Sequence, residues 1–149
     1  MLVGLVLLGA FAVTCPAANA VTAYPVPLAT PIFPADMGTL TVSSTTFSNG
    51  GTIPVANVTE GCGGPPGAAQ RISPQVSWTA GPPGTGSYAV TMFDTDAPTG
   101  TGFWHWIVFN IPPSVTSLPL DAGKNMVPGA IQGYNDGGAA GYRGPCPPV

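Results

Sequence analysis

The amino-acid sequence predicts an all-β protein with a single domain. Its 149 residues are enough for one ordinary domain but too few for two domains with separate hydrophobic cores. Apolar residues make up 44% of the chain and fall in short blocks, and no apolar stripe with helical periodicity follows residue 20. Charged residues make up only 6%, against roughly 25% in an average domain, which favours an exported β protein over a helical one.

Residues 1–20 are predicted to be a signal peptide. Leu2 to Val13 are apolar, and Ala18-Asn19-Ala20 has the small-x-small pattern after which signal peptidase cleaves, so a secreted or periplasmic location is expected. Pro16 interrupts the apolar run well before the ~20 residues of a membrane helix, so no transmembrane span is predicted. No Lys or Arg precedes the run, which is unusual for a signal peptide. A buried N-terminal helix and a lipoprotein anchor at Cys15 are the alternatives.

Residues 21–38 contain several prolines and no hydrophobic period, which predicts an extended leader onto a domain at 39–149. The β-branched segment 40–47, the turn Asn49-Gly50-Gly51 and the segment 53–55 predict a first hairpin. A short strand is predicted at 75–78, with Trp78 in the core.

Two longer strands are predicted in the middle of the chain. Apolar and polar side chains alternate well enough along residues 87–94 to predict a strand with one buried face. Residues 104–111 are almost wholly apolar and aromatic, which is typical of a strand covered on both faces. From Pro112 onward Pro, Gly, Asn and Asp recur every few residues, so this region is predicted to be mainly structured loop.

The two central strands predict the position of a polar site. Asp94 ends the first strand and His105 opens the second, so a hairpin brings both side chains to the same end of the sheet. A carboxylate near an imidazole fixes its tautomer and favours its charged form, which leaves the other ring N–H free to bind an anion. Without further motifs, the alternative is that His105 is an ordinary core residue that contacts no ligand.

Composition excludes several functions. The net charge is −3 and the only basic residues are Arg71, Lys124 and Arg143, so nucleic acid is not an expected partner. Asp94, Asp96 and His105 suggest a metal site, but no third strong ligand has suitable spacing, so neither a metal nor a cofactor is predicted. No Ser or Thr lies in a recognisable nucleophile motif, so an enzyme is not expected.

The mature chain would retain two cysteines, Cys62 and Cys146, in a compartment where disulfides persist. One bridge is the natural expectation, with two free thiols as the alternative. According to the chain-entropy model, a bridge that closes such a long loop stabilises the folded protein by roughly 4.5 kcal/mol.

Four motifs occur together in the second half of the chain. They are Asp-x-Asp-Ala-Pro at 94–98, Phe-Trp-His-Trp at 103–106 with Asn110 following, Asn-Asp-x-Gly-x-x-Gly-Tyr at 135–142, and Gly-Pro-Cys-Pro-Pro at 144–148. With Cys62, Ser73-Pro74 and Trp78 upstream, the chain resembles the phosphatidylethanolamine-binding protein family, specifically its bacterial Raf-kinase-inhibitor-like branch. The resemblance spans about residues 39–149.

The resemblance implies a β-sandwich-like fold of antiparallel sheets and a pocket for phosphate, acetate or phospholipid headgroup anions. It implies a binding protein that performs no chemistry, and the alternative is an inhibitor of a protease or kinase that acts through the pocket rim. The same family pattern pairs Cys62 with Cys146 and leaves Asp96 to brace the loop. The implied pocket residues are the polar pair Asp94 and His105, the turn Ala97 and Pro98, the wall Trp104, and on the opposite side Gly144, Cys146 and Pro147.

Two departures from the family pattern stand out. Thr95 replaces a proline, which loosens the turn without removing a polar group. The sequence also ends at Val149, before the Gly-x-x-His-Arg-Tyr motif that supplies a second pocket histidine. A C-terminally truncated domain is therefore expected.

Overall fold

The computed structural model describes residues 3–4, 38–62 and 65–146. Outside them lie most of the predicted signal peptide, Cys15, nearly all of the predicted leader and Pro147. The elements are a 3₁₀ helix at Val55–Asn57 and strands β1 (Val3–Gly4), β2 (Val42–Ser43), β3 (Val76–Trp78), β4 (Tyr88–Asp94), β5 (Phe103–Ile111), β6 (Ser117–Leu118) and β7 (Ile131–Gln132).

The strands form two antiparallel sheets, which confirms the all-β prediction. One sheet has the order β1-β4-β5-β7 and the other the order β2-β3-β6. The β4–β5 hairpin dominates the larger sheet, with Val90 opposite Val108 and Asp94 opposite Phe103. Among the described residues no helix has the length and hydropathy needed to cross a membrane.

A single hydrophobic core joins the two sheets. The rings of Trp78 in β3 and Tyr88 in β4 meet edge to face, with 5.5 Å between their centroids. Trp78 is therefore a core residue, as predicted. The buried cluster consists of Val76, Trp78, Tyr88, Val90, Met92, Trp106, Val108, Ile111, Leu118, Ala122 and Tyr142.

The predicted first hairpin is wrong. The turn after Ser48 exists, since the Gly51 N–H donates to the Ser48 carbonyl oxygen at 2.8 Å. However, β2 pairs with β3 and not with the chain that follows the turn. The turn itself is predicted correctly, but long-range hydrogen bonds hold this segment on Gln75: the Thr45 N–H donates to Gln75 Oε1, and the Gln75 N–H donates to Thr46 Oγ1.

The prediction that β5 is covered on both faces is also wrong. Trp106, Val108 and Ile111 are buried, whereas Phe109 is 43% exposed. The continuous apolar run indicated burial on both sides, but only one face of this end of β5 meets the core. The two-residue strands β6 and β7 fit the prediction that the region after Pro112 is mainly loop.

Candidate functional site

The candidate site lies where the β4–β5 hairpin ends. Asp94, the last residue of β4, is buried, and its Oδ1 accepts a hydrogen bond of 3.0 Å from the Asp96 N–H. The hairpin loop closes at Gly102, whose φ of +82° favours glycine. A Cβ there would collide with the Phe93 ring and lie 2.8 Å from the Asp94 carbonyl oxygen. The loop therefore returns tightly against the end of β4.

His105 occupies an irregularity in the ladder. Phe93 and Met92 are consecutive in β4, yet their partners Trp104 and Trp106 are separated by one residue in β5. His105 is thus the extra residue of a β-bulge, a feature that redirects side chains and is enriched near binding sites.

Backbone contacts to Arg143 fix the imidazole of His105. The ring Nδ1 lies 2.9 Å from the Arg143 carbonyl oxygen, and the Arg143 N–H donates to the His105 carbonyl oxygen at 2.9 Å. A carbonyl only accepts, so Nδ1 carries the hydrogen and donates. The lone pair of a neutral Nε2 then faces Asp94, whose Oδ2 is 3.7 Å away. That distance is too long for a hydrogen bond, and Nε2 is buried with no partner in the described structure.

Two expectations for His105 are wrong. Its Nδ1 donates to the Arg143 carbonyl oxygen and its Nε2 faces Asp94, so no ring N–H is left free for an anion, and Asp94 does not keep the ring charged. Burial, the largest effect, lowers the pKa of His105 from its ordinary 6.5. The hydrogen bond to the Arg143 carbonyl and the charge of Asp94 act in the opposite direction but do not offset desolvation. The imidazole is therefore neutral at pH 7.

The segment Tyr142–Cys146 forms the opposite wall and is tied to the loop at 56–62. Thr59 donates from its N–H to the Pro145 carbonyl oxygen and from its hydroxyl to the Gly144 carbonyl oxygen, at 3.0 and 2.6 Å. The disulfide Cys62–Cys146 links the same two segments, as predicted. A Cβ at Gly144 would approach the Thr59 nitrogen to 2.6 Å, so the close contact of the two backbones requires glycine.

Between these walls lies a cavity of about 330 Å³. Its lining residues are Asp94, Asp96, Ala97, Pro98, Thr99, Phe103, His105, Arg143, Gly144 and Cys146. Six of the eight implied pocket residues are therefore brought together, and Pro147 lies outside the described residues.

Trp104 does not line this cavity. Its ring packs on Phe93, with 4.5 Å between centroids, and Phe103 forms the wall instead. The bulge at His105 explains the arrangement, because Phe103 stays beside the imidazole at 4.7 Å between ring centroids. Phe103 and Arg143 are the principal lining residues missed from the sequence. Arg143 could have been noticed, since it is one of only three basic residues and directly precedes Gly144.

No cluster of three or more His, Cys, Asp or Glu side chains that could hold a metal ion occurs in the described part of the chain. The cavity lining includes the titratable or charged residues Asp94, Asp96, His105 and Arg143. Two antiparallel sheets with a cavity at the end of the β4–β5 hairpin define a small all-β protein.

Comparison with known proteins gives the family. The family model for phosphatidylethanolamine-binding protein matches residues 43–149, so this chain belongs to the phosphatidylethanolamine-binding protein family. It is 44% identical over 120 residues to the UPF0098 protein YbcL of Escherichia coli, covering 78% of this chain and 64% of YbcL. The crystal structure of YbcL, described as a new member of the mammalian family, matches with a TM-score of 0.66, covering 73% of this chain and 67% of that one.

Two further relatives are informative. A crystal structure of the homologue CT736 from Chlamydia trachomatis matches with a TM-score of 0.61 and 31% identity, covering 73% of this chain and 66% of that one. A Mycobacterium tuberculosis protein that bears the name of a lipoprotein, LppC, is 34% identical over 113 residues, covering 74% of this chain and 48% of LppC. The chain thus spans less than two thirds of the length of the curated relatives YbcL and LppC.

Proposed function

We propose that this chain is an exported protein that binds a small oxyanion, such as phosphate or a phospholipid headgroup, in the cavity between Asp94 and Gly144. Family membership supports small-ligand binding in general. The observation that carries the anion proposal is the buried, unpartnered Nε2 of His105 beside Asp94. An unsatisfied buried nitrogen is costly, and a proton taken up with an anion would satisfy it.

The proposed binding couples an anion to a proton. When His105 is neutral, the Asp94 carboxylate gives this wall a negative charge that repels anions. Protonation places an N–H on Nε2 and directs it at Asp94, so the pair becomes electrically neutral. The Gly144 N–H, which makes no hydrogen bond within the described residues, is available as a donor from the opposite wall.

We also propose that the protein performs no chemistry on its ligand. Among the described lining residues Thr99 carries the only hydroxyl, and that hydroxyl donates to the Gly102 carbonyl oxygen. Cys146 is held in the disulfide. The groups around the cavity therefore support binding better than nucleophilic catalysis.

Export is supported by three features. The predicted signal peptide, the disulfide and the relative named as a lipoprotein are each compatible with a location outside the cytoplasm. Fractionation of the producing cells, with N-terminal sequencing of the mature protein, tests this part of the proposal. Recovery of the chain with residues 1–20 intact in the cytoplasm would contradict it.

Calorimetric titration tests the anion site. Sulfate is a suitable probe besides phosphate, because it remains a dianion from pH 5 to 8 and only the protein titrates. We expect sulfate affinity to rise as the pH falls through the pKa of His105, which burial places below the ordinary 6.5. His105→Gln, which cannot become charged, should bind about tenfold more weakly at pH 5 and lose the pH dependence.

Glu60→Gln is the control for this titration, because Glu60 is an exposed carboxylate that contacts Arg71 and does not line the cavity. It should leave the pH dependence unchanged. Equal binding by wild type and His105→Gln at pH 5 would contradict the proposal. A co-purifying protein partner together with no anion binding would favour the alternative function, inhibition of a protease or kinase through the pocket rim.

A further inference from the structure

We propose that the Arg143 guanidinium is the anion-recognising group of the cavity and that it makes the site selective for phosphate dianions and phosphate monoesters over carboxylates. This inference rests on the proposed function, since it assumes that an oxyanion occupies the cavity. It adds a residue that belongs to none of the motifs described above and a preference among anions.

Arg143 differs from the other two basic residues of the chain in its partners. Arg71 lies 3.7 Å from a Glu60 oxygen, and Lys124 lies 3.2 Å from an Asp121 oxygen. Arg143 forms no ion pair within the described residues and is the only Lys or Arg among the described residues that line the cavity. Its positive charge is therefore available to a ligand.

Arg143 is an exposed residue, and two neighbours position its guanidinium. Its central carbon lies 5.8 Å from the centroid of the Phe103 ring, a cation–π distance. On the Asn135–Gly138 turn, Gly137 provides the space for it, because a Cβ at Gly137 would overlap the guanidinium and lie 2.8 Å from the Arg143 Cδ. The Gly137 N–H donates to Asn135 Oδ1 at 2.9 Å, which fixes this turn. A preorganised cation loses less conformational entropy on binding than a mobile one.

The charge balance of the cavity requires such a cation. The Asp94 carboxylate lines it, and burial keeps His105 neutral at pH 7. Without Arg143 the lining would repel any anion at neutral pH. With Arg143 one wall is positive, and this wall also includes the backbone of Gly144.

The geometry of the donors favours a tetrahedral oxyanion. A guanidinium binds two oxygens side by side through its parallel N–H groups. The neighbouring Gly144 N–H can then donate to a third oxygen. A phosphate group has three terminal oxygens and two charges, so it can bind the guanidinium through two oxygens and the Gly144 N–H through the third, whereas a carboxylate has two oxygens and one charge.

The test compares Arg143→Gln with Arg71→Gln, which removes the same charge from a position outside the cavity. Inorganic phosphate and acetate are titrated calorimetrically into each protein at pH 7.5. We expect Arg143→Gln to weaken phosphate binding at least about tenfold and acetate binding by less, and Arg71→Gln to change either by less than about twofold. Arg143→Lys, which keeps the charge but not the planar fork, should be intermediate.

Gly137→Ala gives a second readout without altering any donor. The added methyl should displace the guanidinium and weaken phosphate binding while unfolding remains cooperative. Unchanged phosphate affinity in Arg143→Gln would overturn the inference and leave the proposed function standing. Failure of the wild type to bind phosphate at pH 5 and at pH 7.5 would overturn both.

Discussion

At the scale of single residues, the neutral state of His105 links stability to pH. Burial lowers its pKa in the folded protein below the 6.5 of the unfolded chain. Between these two pKa values the unfolded chain binds more protons, so the free energy of unfolding decreases as the pH falls. The stabilisation from the neutral ring is fully present above about pH 6.5 and is lost as the pH drops through the folded-state pKa.

We expect wild type to lose more unfolding free energy between pH 7 and pH 5 than His105→Gln does. Urea denaturation of both proteins at each pH, in chloride without phosphate or sulfate, measures this difference. The carboxylates are the same in the two proteins, so their contribution to the pH dependence cancels in the comparison. Identical pH dependence in the two proteins would mean that His105 has a similar pKa in the folded and unfolded states.

Gly144 is a position at which added volume should be poorly tolerated. A Cβ there would overlap the Asn57 carbonyl oxygen and lie 2.6 Å from the Thr59 nitrogen, both backbone atoms that cannot move independently. Gly144→Ala should therefore lower the free energy of unfolding by about 1–3 kcal/mol. Gly86→Ala is the matched control, since its Cβ would meet nothing within 4 Å, and it should be neutral or slightly stabilising. Equal melting temperatures for the two variants would contradict this packing argument.

The candidate site shows what sequence can predict for individual residues. The sequence predicts that Asp94 and His105 lie close together, because a hairpin brings the end of β4 and the start of β5 to the same end of the sheet. That Phe103 and not Trp104 lines the cavity could not be predicted in the same way. The bulge at His105 changes which side chains face the cavity, and no glycine or proline in the sequence marks its position. The neutral charge state of His105 depends on how deeply the fold buries its ring, which the order of residues does not reveal.

At the scale of secondary structure, length separates the predictable strands from the others. The strands β4 and β5 have seven and nine residues, and their apolar patterns are long enough to read. The strands β2, β6 and β7 have two residues each and carry no period. Their existence depends on tertiary partners, so the sequence predicted a local hairpin where β2 pairs with the distant β3.

Strand β6 contributes to stability mainly through Leu118. Its side chain is fully buried in the core, and Leu118 pairs with Val76 of the neighbouring strand β3, whereas Leu120 two residues later is 55% exposed. Leu118→Ala should lower the free energy of unfolding by about 2–5 kcal/mol, because it removes buried methyl groups and leaves a cavity. Leu120→Ala makes the same chemical change on the surface and should cost less than about 1 kcal/mol. Urea denaturation of the two variants compares them directly, and similar losses would show that β6 is not part of the cooperative core.

At the scale of the whole molecule, one covalent link closes most of the domain into a loop. The disulfide Cys62–Cys146 joins residues 84 positions apart, and both sheets except β1 and β2 lie between its ends. It also fastens the Tyr142–Cys146 wall of the cavity to the 56–62 loop. Global stability and the shape of the candidate site therefore depend on the same bond.

Replacing both cysteines by serine should lower the free energy of unfolding by about 2–5 kcal/mol, since the unfolded chain regains the entropy that an 84-residue loop had lost. The two hydrogen bonds from Thr59 still hold the wall, so the variant should fold. Wild type treated with a phosphine reductant is the control and should match the serine variant in urea denaturation. Phosphate affinity, measured on the folded fraction, should fall only a few-fold, because Arg143 and Gly144 keep their other contacts. Denaturation midpoints that coincide for oxidised and serine proteins would show that the loop is already compact in the unfolded state.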